Sequence, residues 1–206
     1  DEKLSGLVQD LIDESEFKAA AESSATIRVG KSGPFRKLTL VGLGKAEDIT
    51  LDGLRRAGAI AARTGKKEKC KVLGIQLPSC NSDNSASAQS ICEGVLLALH
   101  EDTRFKSESE DKGFEFERIE LIGYPDEAPA IARGQQVADG VILARELVAA
   151  PPNVATPAML AETAEAIARD HNIEVEVLER EACEALGMGA YLGVAQASDM
   201  PPKFIH

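Results

Sequence analysis

The chain has 206 residues, 44% of them hydrophobic and 28% charged; that is more than one small stapled core requires and allows one large domain or two modest ones. With no apolar run near the roughly 20 residues of a membrane helix, the composition predicts a soluble globular protein and excludes disordered and membrane-spanning classes. The formal net charge of -11 is uneven, since residues 1–112 hold 17 Lys/Arg against 18 Asp/Glu while residues 113–206 hold 6 against 16; the second half should repel phosphate backbones, and no nucleic-acid partner is expected.

In chain order, Leu4, Leu7, Val8, Leu11 and Ile12 share one stripe of a helix over Leu4 to Phe17, and Thr26 to Val29 reads as a short strand. Lys37 to Leu43 is an apolar strand running into Gly42-Leu43-Gly44. Thr50 then caps a helix through about Lys66, and Cys70 to Leu77 supplies another strand. This strand-helix-strand alternation predicts an α/β sheet. Ser79 to Ser87 reads as a polar loop. A helix marked by Ile91, Val95 and Leu99 follows, then a charged loop over Thr103 to Gly113 and a strand over Phe114 to Gly123. From about Ala128 to Ala149 a long helix carries Val137, Val141, Ala144 and Val148 on one face. Gly134 and Gly140 weaken it but would let another helix approach closely, and Pro151-Pro152 stops it.

Thr156 and Pro157 have the chemistry of an N-cap and first helical position, with Leu160, Ala164 and Ile167 as the expected buried stripe and Asn172 as a left-handed stop. Ile173, Val175 and Val177 alternate with Glu174 and Glu176, which predicts a half-buried strand. A short helix ending at Gly187, a strand over Ala190 to Ala195 and a last strand over Lys203 to His206 complete the reading.

Few residues suggest a site. Ala25 to Ser32 (A-T-I-R-V-G-K-S) lacks the first glycine of a phosphate-binding loop, and Gly33-Pro34 follows where a helix should begin. Gly42-Leu43-Gly44 has the setting of a dinucleotide loop, but Glu47 occupies the third glycine position, so a tight strand-to-helix turn is the simpler reading. Cys70, Cys80, Cys92 and Cys183 form no C-x-x-C pair and read as buried free thiols of a reducing compartment. His100, His171 and His206 form no H-E-x-x-H pattern and read as helix-end or surface residues. The basic run Arg55, Arg56, Arg63, Lys66, Lys67, Lys69 and Lys71 suits the C-terminal half of a helix better than a nucleic-acid surface. Zero Trp and 4% aromatics weaken any stacking site. No catalytic, cofactor-binding or metal-ligating residue is nominated.

Two ordered segments carry a family resemblance. Arg145 to Pro157 (R-E-L-V-A-A-P-P-N-V-A-T-P) resembles the junction segment of the leucyl (cytosol) aminopeptidase family. Leu186 to Ser198, followed by Pro201 to His206 (P-P-K-F-I-H), resembles the next family segment at the right spacing, and Leu40 to Lys45 and Gly94 to Ser107 add weaker similarity to plant and cyanobacterial members. Ala149 stands where the family usually has Asn, and Ala197 where Gly is common.

The resemblance implies a macro-domain-like N-terminal α/β domain over residues 1–127, a linker helix over 128–150, and the start of an α/β catalytic domain over 151–206. It further implies a homohexameric exopeptidase of the cytoplasm or plastid stroma that acts on peptide substrates with two divalent metal ions, Zn or Mn. In that chemistry the metals polarise the scissile carbonyl and activate a bridging water, assisted by a lysine and by an arginine-bound bicarbonate. The family's ligand motifs, of the G-K-G-x-x-F-D-S-G-G and N-T-D-A-E-G-R type, do not occur in this sequence. The chain is therefore expected to be truncated at both ends, to serve assembly and site access, and to be inactive alone. The alternative is a stand-alone macro-like binding module without peptidase activity.

Overall fold

A computed structural model describes residues 6–30, 35–107 and 114–206 of the chain. The expected positions Leu4, Lys31, Ser32, Gly33 and Pro34, and the end of the charged loop over 103–113, lie outside the described residues. The described chain is mixed α/β and divides into two compact units, Asp1–Ile142 and Leu143–His206.

The first unit opens with α1 (Leu7–Ser15), whose Leu11 is buried, followed by the antiparallel pair β1 (Ser24–Arg28) and β2 (Lys37–Val41), in register from Ser24 against Val41 to Arg28 against Lys37. A single 3-10 turn at Ala46–Asp48 leads to α2 (Leu51–Lys67), and the Thr50 hydroxyl accepts the Gly53 N–H at 3.0 Å as the cap that its side chain predicts. Then β3 (Val72–Ile75), α3 (Asn84–Leu99) and β4 (Arg118–Leu121) form a strand-helix-strand unit whose two strands pair in parallel. The long helix α4 (Ala128–Ala149) runs from this unit into the second.

Two expectations are corrected here. The strands over 37–43 and 70–77 do not share a ladder among the described residues: β2 pairs with β1, and β3 pairs with β4. The helix expected around Ile91 begins earlier, inside the stretch read as loop, because the Asp83 carboxylate accepts the Ala86 N–H at 2.9 Å and starts α3 on a turn with no apolar side chain larger than alanine. The core lies between α2 and α3, where Leu54, Ala62, Ala88 and Ile91 are fully buried, and Ile75 and Tyr124 close it from the strand side. Glycines set the closeness of this helix pair. A Cβ at Gly58 would stand 2.8 Å from the Ile91 carbonyl oxygen and one at Gly94 only 1.9 Å from that of Arg55. Gly134 of α4 similarly approaches Gln89 and Cys92, as its place in the sequence suggests, whereas Gly140 faces open space.

The second unit contains α5 (Pro157–His171), β5 (Val177–Leu178), α6 (Arg180–Ala185), α7 (Gly189–Ala195) and β6 (Phe204–Ile205). Thr156 caps α5 by accepting the Met159 N–H, Pro157 occupies its first position, and Asn172 ends it at φ 53. The buried face of α5 is Ala161 and Ala168; Leu160 and Ile167 are exposed and Ala164 half-buried, which corrects the expected stripe by about one residue in rotation. The strand over Ile173 to Val177 shrinks to a two-residue ladder, Val177 against Ile205 and Leu178 against Phe204, extended by reciprocal main-chain bonds between Glu176 and His206 of 2.7 and 2.8 Å. Ala190 to Ala195 is helical, not a strand: the Leu192 N–H donates to Met188 O at 3.1 Å, and Tyr191 meets the Phe204 ring edge to face at 5.7 Å. A short apolar run carries no periodicity that separates strand from helix, and Gly189 and Gly193 disfavour the strand.

Candidate functional site

The Gly42-Leu43-Gly44 turn borders a cleft of about 270 Å³ in the first unit, between the end of β2 and the start of α2. Gly44 takes φ +77, and a Cβ on Gly42 would stand 2.1 Å from Ala20 O, so both glycines are required by the turn and by its contact with residues 19–23. Both glycine amides of the turn are engaged within the chain: Gly42 N–H donates to Ser23 O at 2.8 Å, and Gly44 N–H to Ala19 O at 2.9 Å. Glu22, Asp48 and Asp52 line the same cleft with Lys45 and Arg56. Arg56 is held by Glu22 at 2.8 Å and Asp52 at 2.6 Å, and hydrogen bonding to Glu22 and the charge of Asp52 raise its pKa above the ordinary guanidinium value. A cleft with three carboxylates, whose arginine is already paired, opposes a pyrophosphate.

Four residues of the basic run, Arg55, Arg56, Lys66 and Lys71, pair with acids. Arg55 Nε and a terminal nitrogen donate to the Glu93 carboxylate at 2.9 and 2.8 Å, and Gln89 donates to its other oxygen at 2.9 Å, so this buried acid is fully partnered between α2 and α3. Lys66 pairs with Glu101 and Lys71 with Glu117, both at 2.8 Å; the hydrogen bond that Lys66 donates lowers the Glu101 carboxyl, and the one that Lys71 donates to Glu117 raises its own ammonium. A second, more open hollow of about 430 Å³ is lined by Lys66, Leu99, Phe114, Phe116 and Ile119; its charged neighbours Glu117 and Arg118 pair with Lys71 and Glu120.

All four cysteines are free, with Cys80, Cys92 and Cys183 buried and Cys70 half-buried. Burial, then the charges of Glu93 and Asp139, pushes the Cys92 thiol up to about 11, which keeps it protonated and a poor nucleophile at neutral pH. His100 follows the last residue of α3, and His171 is the last residue of α5. Glu174 and Glu176 are exposed. Among the described residues, no group of three or more His, Cys, Asp or Glu comes together in a way that could hold a metal ion, and no helix is long and apolar enough to cross a membrane.

The molecule is thus an α/β protein whose two clefts are lined in part by ion-paired side chains. It belongs to the cytosol aminopeptidase family: residues 1–109 match that family's N-terminal domain and residues 142–206 its catalytic domain. The chain is 57% identical over 206 residues to the probable cytosol aminopeptidase of Nostoc punctiforme and 56% identical over 208 residues to that of a Cyanothece species. Each match takes in 100% of this chain but 42% of the relative. A mutant of tomato leucine aminopeptidase matches the structure with a TM-score of 0.87 and 36% identity, over 100% of this chain and 41% of that one. The bottromycin maturation enzyme BotP, solved in complex with Mn, matches at 0.80 with 22% identity, over 94% of this chain and 40% of that one, which shows the fold alone.

Proposed function

We propose that this chain is the N-terminal portion of a metallo-aminopeptidase that releases N-terminal, Leu-like residues from peptides. Residues 1–127 are its N-terminal α/β domain, 128–150 the linking helix and 151–206 the beginning of its catalytic domain. The observation that carries this reading is order: a match to the N-terminal domain precedes a match to the catalytic domain on one chain that spans 42% of its curated relatives.

The complete protein works with two divalent ions, zinc or manganese, and as a homohexamer in the cytoplasm or plastid stroma. The described residues of this chain do not fit such ions, since no cluster of ligating side chains forms among them, and the family's ligand motifs are missing from the sequence. In this reading the segment serves assembly and access to the site, and the ligands and catalytic residues belong to the rest of the complete protein. The pairing of Arg55, Lys66 and Lys71 with acids and the acidic second half support a protein that does not engage nucleic acid.

An assay of the isolated segment with leucine p-nitroanilide and excess Mn²⁺ or Zn²⁺ tests the division of labour. No turnover above buffer is expected. Hydrolysis that follows the chain through successive purification steps would overturn the assignment of the catalytic residues elsewhere.

A further inference from the structure

We draw no further inference here: the strongest candidate, the apolar stripe that α4 leaves exposed at Val137, Val141 and Val148 beside the open position Gly140, is an unpartnered helix face, and nothing in the structure shows what covers it.

Discussion

Gly94 of α3 lies directly over the main-chain carbonyl of Arg55 on α2, so close that a Cβ on Gly94 would stand 1.9 Å from the oxygen. The contact is backbone to backbone, and no rotamer change can relieve it. Gly94→Ala should therefore force α2 and α3 apart and lower the unfolding free energy by about 2 kcal/mol or more, at the upper end of overpacking costs. Gly140→Ala, in open space on α4, should instead stabilise by about 0.5–1 kcal/mol through helix propensity. Urea denaturation of the two variants reads the contrast. Equal, small effects would mean that the close α2–α3 approach is not set by this glycine.

Arg55 and Arg56 are adjacent on α2 and share Asp52, but each has a second acid of its own. Arg55 reaches Glu93, whose side chain is 7% exposed, whereas Arg56 and its partners Glu22 and Asp52 are all more than half exposed. Arg55→Met would leave a buried carboxylate with only Gln89 as a donor, and should cost about 2–3 kcal/mol, less than a fully buried pair because Arg55 is itself partly solvated. Arg56→Met should change stability little, because Arg56 and both its partners are solvated. Adding Glu93→Leu to Arg55→Met should recover most of the first loss, because it removes the unpaired acid. Denaturant melts of the three variants check this, and a double variant worse than the single one would contradict it.

Cys92 supplies a pH dependence. Its thiol is held up to about 11 in the fold, against an ordinary value of about 8.5. Above the ordinary value the unfolded chain releases this proton while the folded chain keeps it, so the contribution to stability is complete below about pH 8.5 and is lost as pH rises towards 11. Cys92→Ala should flatten that part of the stability profile. In the native protein at pH 8, iodoacetamide should label half-buried Cys70 before Cys92, as read by peptide mass spectrometry. Preferential labelling of Cys92 would contradict its assignment as a buried, protonated thiol.

Much of this organisation is legible from individual side chains. Thr50, Thr156, Pro157 and Asn172 mark helix ends by chemistry that acts locally, and each occupies the end it predicts. The errors fall where local chemistry is silent. The first turn of α3 is polar, so only the Asp83 cap marks it. The run Ala190 to Ala195 is too short for periodicity to decide, and Ala161 and Ala168, each one position after a residue of α5's expected stripe, are small enough to pack inward while Leu160 and Ile167 stay exposed. Gly42-Leu43-Gly44 is read correctly as a turn because Glu47 departs from the dinucleotide pattern. That the turn's amides bond to residues 19 and 23 depends on a distant segment that the motif does not contain.

That engagement bears on the competing reading as a macro-like binding module. Gly42 and Gly44 N–H groups already donate within the chain, and three carboxylates line the cleft. Titration calorimetry with ADP-ribose, the ligand that a macro-like resemblance implies, should give no saturable heat, and Glu22→Gln with Asp52→Asn should not create binding, since the Gly42 and Gly44 amides remain engaged. Stoichiometric binding to the native chain, lost on Gly44→Val, would favour the module.

The central claim is that these 206 residues are the N-terminal portion of an aminopeptidase and work only with the rest of such a chain. The direct measurement is a chimera in which this segment replaces the matching 42% of the Nostoc punctiforme relative, assayed for leucine p-nitroanilide hydrolysis with Mn²⁺ and sized by light scattering. The account predicts hydrolysis within about tenfold of the intact relative and a hexameric mass, while the segment alone shows neither. A chimera that folds and assembles as the relative does but releases no leucine, or a segment that hydrolyses the substrate unaided, would contradict it.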